Sequence, residues 1–408
     1  MRRKRMLLVV CDGVSDRPVK QFDDKTPLQA ARKPAMDAIA RNGISGIMDV
    51  IAPGVVPGSD TAHLALFGYD PYKAYTGRGP IEAAGAGISL VKGDVAFRCN
   101  FATSADGRHV TDRRAGRIRS GTAALAKALS GMKIEDVDVI FKEGSEHRAV
   151  LVLRGPGLDH RVSEVDPHSE GEILRSEPLS PGAEKTARLL NEFVRMSHEV
   201  LADHEVNRDR EKQGLPKADI VLPRGAGSVG DLEPMSERYG LRCAGVAGVT
   251  LVKGLCRMVG MDVIDVPGAT GGLDTDYMAK AKAVLQSLET HDFVFLNVKA
   301  PDIAGHDGDF RLKVQVIESI DMMLGLILKD LHEDVVVALT ADHSTPISVK
   351  DHSADPVPVT ISGADSRVDS VRKYDEISAA VGALGRIRGM DLLPIMMGMA
   401  NRSAKFGA

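Results

Sequence analysis

Four separated segments carry side chains suited to holding metal ions. Asp12 closes Val10-Cys11-Asp12, Asp302 and His306 bracket Asp-Ile-Ala-Gly-His, Asp342 and His343 are adjacent, and His352 follows nine residues later. With Ser59 they supply three carboxylates, three imidazoles and one hydroxyl. That set can hold two divalent ions beside a nucleophile, which is a phosphoryl-transfer site in outline. Mixed oxygen and nitrogen donors suit manganese or zinc better than calcium or an iron–sulfur cluster. The four-residue spacing of Asp302 and His306 puts both on one side of a helix or tight loop. Taken singly, each has a plainer reading: an aspartate after a strand is usually a cap, and a histidine is usually a surface or core residue. The joint pattern is what stands out, because the first three segments each follow an apolar, strand-like run.

Ser59 lies in Pro57-Gly58-Ser59-Asp60-Thr61-Ala62-His63, a forced turn followed by an apolar helical stretch. A plain N-cap is the ordinary use of serine there. The alternative places its hydroxyl at a helix N-terminus, where backbone N–H groups favour an incoming phosphate. His63, one turn on, is a candidate to support the site from behind.

The elements that must position these residues alternate. Strand-like runs fall at 6–10, 44–50, 219–222, 261–265, 293–298 and 335–339, and helical patterns at 181–204, 276–288 and 311–331. Thr26-Pro27 reads as a helix start, and Gly43 as the close of the helical region before the second strand. Alternation of this kind predicts an α/β fold: a mostly parallel sheet with helices on both faces and ligands at the carboxyl ends of its strands. The stretch 93–179 differs, with short alternating runs (94–101, 148–153), one helix near 122–130, and ten Arg against three Lys. It reads as an inserted, smaller α+β cap domain, leaving 1–92 and 180–408 as the metal-binding domain. Hinges are expected around 88–93 and 176–182. The arginine excess suits anion binding by forked guanidinium groups, although fourteen acidic residues in the stretch would equally make a salt-bridged surface.

Composition narrows the class. The 408 residues carry a formal charge of −4 and no tryptophan, so neither a nucleic-acid footprint nor stacking platforms are indicated. Cys11, Cys99, Cys243 and Cys256 form no CxxC pair, which fits a reducing cytoplasm rather than a disulfide framework. The basic start, Met1-Arg-Arg-Lys-Arg, precedes an apolar run too short for a signal core, and no stretch is long enough to span a membrane. Gly85-Ala-Gly-Ile-Ser89 and Gly225-Ala-Gly-Ser228 do not complete a dinucleotide fingerprint, and a Walker A loop is absent.

The order Asp…Ser…Asp-x-x-x-His…Asp-His…His resembles the alkaline phosphatase superfamily. The segments Pro57-Gly-Ser-Asp-Thr-Ala-His-Leu-Ala-Leu-Phe-Gly-Tyr-Asp-Pro71, Tyr75-Thr-Gly-Arg-Gly-Pro-Ile-Glu-Ala83, Phe97-Arg-Cys-Asn-Phe-Ala-Thr103, Asp112-Arg-Arg-Ala-Gly-Arg117 and Leu222-Pro-Arg-Gly-Ala-Gly227 resemble archaeal-type cofactor-independent phosphoglycerate mutases. The likeness covers essentially the whole chain. It implies interconversion of 2- and 3-phosphoglycerate in glycolysis and gluconeogenesis, through a phosphoserine and without 2,3-bisphosphoglycerate. It implies Ser59 as nucleophile, one ion on Asp12, Ser59, Asp342 and His343, and another on Asp302, His306 and His352. Manganese is the foremost ion, with zinc, cobalt or magnesium as alternatives. Lys253 resembles the family lysine near the transferring phosphate. Asp112, Arg113 and Arg114 are the first substrate-binding candidates, then Arg98, Arg117 and Arg161, with Arg224 a further one. Closure of the insert would separate a mutase from a phosphatase, because trapped glycerate takes the phosphoryl group back before water does. Two other readings stay open: a metal-dependent phosphomonoesterase or phosphodiesterase of the same superfamily, and a metabolite-binding protein without turnover. Oligomeric state is open.

Overall fold

The computed structural model describes residues 3–230, 232–364, 366–405 and 407. Met1 and Arg2, in the basic start, lie outside the described residues. The chain forms two compact units, one from Met1–Ala74 with Glu233–Ala408, the other from Tyr75–Leu232.

The first unit is built on an eight-stranded sheet. Its order is Asp262–Val263, Cys243–Val246, Phe293–Val298, Arg5–Cys11, Val335–Thr340, Val357–Ser362, Gly43–Asp49, Gly385–Arg388. All neighbours pair in parallel except Val357–Ser362, which runs against both of its partners. Met6 to Cys11, Phe293 to Leu296 and Val335 to Leu339 are unbroken apolar runs, as strands covered on both faces require. Register then fixes the site. Cys11 pairs with Val298, and Val10 pairs with Thr340. The three chains therefore leave the sheet side by side at one edge, carrying Asp12, Asp302 and Asp342 with them.

Thr26 caps a helix as expected, in a capping box with Gln29, but that helix is only Pro27–Ala30. A second helix, Pro34–Arg41, starts at the next proline. That helix ends at its cap Asn42, directly before Gly43 as expected, and Gly43 is also the first residue of the strand Gly43–Asp49. A Cβ there would lie 2.4 Å from Ile361 O across the sheet.

The second unit holds a five-stranded antiparallel sheet in the order Lys133–Ile134, Val137–Glu143, Arg148–Arg154, Val95–Ala102, Ile220–Ser228. Its extent corrects the expected insert of 93–179. Ile220–Ser228 pairs with Val95–Ala102, from Ala102↔Ile220 to Val95↔Ser228. The helix Glu184–Leu201 buries Leu189, Leu190 and Phe193 in the same core as Phe97, Phe101 and Phe141. Residues 184–228, which alternation assigned to the large sheet, thus belong here. The expected hinges at 88–93 and 176–182 fall inside this unit, and the chain passes between units near 74–75 and 232–233. Among the described residues no helix is long and apolar enough to cross a membrane.

Candidate functional site

The loop after Arg5–Cys11 is a tight turn. Gly13 has φ +62°, and a Cβ on it would meet Thr345 Oγ1 at 2.5 Å and Asp302 Oδ1 at 2.7 Å. Only glycine allows both that backbone and that approach. Its N–H donates to Asp342 Oδ1 at 3.1 Å, so the first ligand loop is tied to the third. Thr345 ties the third loop to the second, donating to Asp302 Oδ1 at 2.7 Å. Asp12 and Asp342 are fully buried and Asp302 is nearly so.

Three imidazoles face these carboxylates in one orientation. His343 Nδ1 is 3.0 Å from Thr345 Oγ1, whose proton is committed to Asp302; His343 Nδ1 therefore donates and Nε2 keeps its lone pair. His352 Nδ1 donates to Pro57 O at 2.9 Å, and His306 Nδ1 to Lys350 O at 2.9 Å. Each Nε2 is left on the carboxylate side. His343 Nε2 is 3.2 Å from Asp342 Oδ2 and 3.6 Å from Asp12 Oδ1; His352 Nε2 is 3.6 Å from Asp302 Oδ1; His306 Nε2 is 3.5 Å from Asp302 Oδ2. Fixing Nδ1 through a backbone or hydroxyl partner so that Nε2 is presented is how metal-ligating histidines are oriented.

The electrostatics favour a cation. Burial pushes the Asp12 carboxyl up to about 8, reinforced by the Asp342 charge. Burial brings His343 down to about 4, which keeps it neutral and available as a ligand. The Asp302 carboxyl is buried too, yet its His352 and Lys299 contacts hold it below the usual range. Asp342 Oδ2 is buried and accepts no hydrogen bond among the described residues. Orphaned buried carboxylate oxygen costs free energy that a divalent ion would recover. The residues therefore fit such ions. Potential ligand atoms of Asp12, Asp342 and His343 lie within 4.8 Å of one another, as do those of Asp302, His343 and His352, and of His306, Asp351 and His352.

Ser59 is the first residue of the helix Ser59–Leu66, whose cap is Gly58. Its side chain caps nothing, and its Oγ lies 3.3 Å from His343 Nε2. His63 is buried behind it. Its Nδ1 donates to Ser59 O at 2.6 Å, and its Nε2 takes an N–H from Asn297 at 3.3 Å, whose amide also reaches Asp12 Oδ2 at 3.2 Å. Burial lowers the His63 pKa, in keeping with this neutral role.

The remaining candidates divide. Lys253 pairs with Asp265 at 2.9 Å. The ammonium at the cluster is Lys299, 2.8 Å from Asp12 Oδ1 and 2.7 Å from Asp302 Oδ2. In the second unit, Arg113 forks onto the buried Asp166 at 2.8 and 2.6 Å, and Arg224 binds the same carboxylate and Asn100. Arg98 pairs with Arg224 in the sheet, and burial, with the charges of Arg224 and Arg78, holds its guanidinium below the usual value. Asp112 accepts the N–H groups of Arg114 and Gly116 and so shapes its own turn. Arg117 is exposed, and Arg161 is committed to Asp159. Sequence reading missed Lys299, Asn297, Thr345 and Asp351. Asp351 alone left a signal, since Asp351-His352 repeats the Asp342-His343 pairing.

The fold and site define an α/β protein with a candidate metal centre at the carboxyl edge of its parallel strands. A family model described as 2,3-bisphosphoglycerate-independent phosphoglycerate mutase matches residues 40–207. A curated protein of that name (mutase 1) from Methanothermobacter thermautotrophicus is 50% identical, covering 98% of this chain and 99% of the relative. Another, from Methanopyrus kandleri, is 52% identical, covering 99% and 98%. A solved cofactor-independent phosphoglycerate mutase from Thermoplasma acidophilum aligns with TM-score 0.80 at 38% identity over 97% of this chain and 100% of its own. A Pyrococcus horikoshii protein aligns with TM-score 0.87 at 41% identity over 100% of both chains. The chain belongs to the family of 2,3-bisphosphoglycerate-independent phosphoglycerate mutases.

Proposed function

We propose that this protein interconverts 2- and 3-phosphoglycerate, without 2,3-bisphosphoglycerate, through phosphorylation of Ser59. The observation that carries the reading is the uncapped Ser59 hydroxyl at a helix start, 3.3 Å from a histidine of the carboxylate cluster. Asp12, Ser59, Asp342 and His343 would hold one divalent ion and Asp302, His306 and His352 the other, with manganese foremost and zinc, cobalt or magnesium as alternatives. Bound ions would neutralise charge on the phosphoryl group and lower the serine pKa. The chain's own part is positional. The Ser59 helix presents N–H groups to phosphate, His63 braces the Ser59 carbonyl, and Thr345 and two carbonyls aim the imidazoles. Ser59 Oγ bonds to phosphorus as the glycerate oxygen departs with its electron pair and takes up the serine proton. The other glycerate hydroxyl then attacks phosphoserine, and Ser59 recovers a proton. Arg113 and Arg224, which share the Asp166 carboxylate, and Arg98, paired with Arg224 across the strands, would supply the guanidinium chemistry for the substrate's anionic groups.

The test is a coupled assay of 3- to 2-phosphoglycerate conversion with manganese and no bisphosphoglycerate, following free phosphate in parallel. Isomerisation without phosphate release is expected, with phosphorylated Ser59 recovered after acid quench. Phosphate release without isomerisation would make the protein a phosphomonoesterase and overturn the reading.

A further inference from the structure

Lys299 occupies an unusual place for a lysine. A site that gathers three buried carboxylates for cations already contains one, and it belongs to the chain. The Lys299 ammonium is 2.8 Å from Asp12 Oδ1 and 2.7 Å from Asp302 Oδ2. Those carboxylates come from two different segments, the turn after Arg5–Cys11 and the helix Ala300–Asp307, and are assigned above to two different ions. One positive charge thus spans the seam between them. The geometry follows from the backbone. Lys299 is the N-cap residue of the helix Ala300–Asp307, placed directly after the strand Phe293–Val298, and Asp302 stands one turn into that helix. The side chain keeps 21% exposure, so the head group is not sealed in. Asp342, the third carboxylate, pairs with the imidazoles of His343 and His63, at 3.2 and 3.7 Å, and feels the Lys299 charge without a direct ion pair among the described residues.

An ammonium on a four-carbon stem is a movable point charge that fits no fixed fork. It cannot share a carboxylate oxygen with a divalent ion without strong repulsion. We propose that Lys299 is the resident counter-cation of the site: it holds Asp12 and Asp302 while no divalent ion is bound, yields both when ions bind, and then turns the same charge to the oxygens of the transferring phosphoryl group. This rests on the phosphoglycerate mutase reading above. The role asks more of Lys299 than a structural salt bridge does. Lys299 competes with the ions, so its loss should tighten ion binding while loosening phosphate binding; loss of a mere tether would weaken both.

The experiment uses the full chain, stripped with a chelator. Manganese is titrated by calorimetry, then inorganic phosphate is titrated into the manganese-loaded protein. Lys299→Met is expected to lower the melting temperature of the stripped protein, bind manganese at least about tenfold more tightly, and bind phosphate at least about tenfold more weakly. Lys299→Arg should restore the melting temperature and most of the phosphate affinity. Manganese binding equal to or weaker than wild type in a folded Lys299→Met protein would overturn the proposal, as would unchanged phosphate binding. If the methionine variant does not fold, Lys299→Gln, which keeps a donor without the charge, carries the same titrations. The two readings fail separately. A wild-type protein without mutase turnover whose variant still shows both affinity shifts loses the function and keeps the counter-cation. A wild-type protein with turnover whose variant binds both ligands as wild type does loses the counter-cation alone.

Discussion

At Ser59 the informative fact is what the hydroxyl does not do. Serine at a helix start ordinarily caps the first turn, but Gly58 is the cap here and the Ser59 side chain takes no part in it. Ser59→Ala should therefore leave the free energy of urea unfolding within about 1 kcal/mol of wild type, while kcat falls by at least about 10³-fold. A variant that keeps most of its kcat would remove the nucleophile assignment. The same reasoning shows which residues a sequence displays. Asp12, Asp302, Asp342 and the three histidines announce themselves by type and by place after a strand. Lys299 does not, because a lysine before Ala-Pro reads as a solvated side chain, and only its aim between Asp12 and Asp302 gives it meaning. Asn297 is hidden inside a strand and Thr345 inside a loop; each matters through hydrogen bonds that join a carboxylate to an imidazole. Lys253 illustrates the converse, a motif-based choice whose ammonium is engaged with Asp265.

Elements enter through the loops they hold together. The long helix Phe310–Asp330 sends Lys313, fully buried, to Ser15 O, Asp16 Oδ2 and Thr345 O at 3.3, 2.8 and 2.9 Å. That ammonium locks the Asp12 loop to the Asp342 loop. Gly13 closes the same junction from the other side, so Gly13→Ala should cost about 1–3 kcal/mol in urea unfolding and weaken manganese binding, because the added carbon displaces Asp302 or Thr345. Unchanged manganese affinity would show that the close approach at Gly13 does not set ligand geometry. Glu376 completes the network, accepting from Asp16 N and from the Thr26 hydroxyl at 2.9 and 2.7 Å. Burial pushes its carboxyl from 4.5 up to about 7. The folded protein thus keeps a proton that the unfolded chain releases at lower pH. This contribution to stability is complete below about 4.5, declines as pH rises toward about 7, and is lost above it. Glu376→Gln should gain on wild type in urea midpoint as pH rises from 5 to 8, and a pH-independent difference between them would exclude Glu376 as the titrating group. Element positions were largely legible, since 293–296 and 335–339 are uninterrupted apolar runs. The strands Cys243–Val246 and Gly385–Arg388 are four residues each and too short to carry a periodic signal.

For the whole molecule, alternation of strand and helix said little about which sheet a strand joins. The helix Glu184–Leu201 followed by Ile220–Ser228 reads like another turn of a parallel α/β sheet, yet the strand pairs antiparallel with Val95–Ala102, more than a hundred residues earlier. Pairing that distant is set by tertiary packing, which no local pattern encodes. The resulting division has a measurable consequence. Every proposed ion ligand, from Asp12 to His352, belongs to the unit formed by Met1–Ala74 and Glu233–Ala408, and the core of Tyr75–Leu232 is built from other strands. An ion that binds only the folded form stabilises what it binds by RT ln(1 + [L]/Kd), about 2.7 kcal/mol at a hundredfold excess over Kd. Hydrogen exchange with and without manganese should therefore slow about a hundredfold for the most protected amides of Arg5–Cys11, Phe293–Val298 and Val335–Thr340. Amides of Val95–Ala102 and Arg148–Arg154 should keep their rates. Equal slowing in both sets would mean that the two cores unfold as one cooperative body, and slowing in neither would take the metal centre away from these carboxylates.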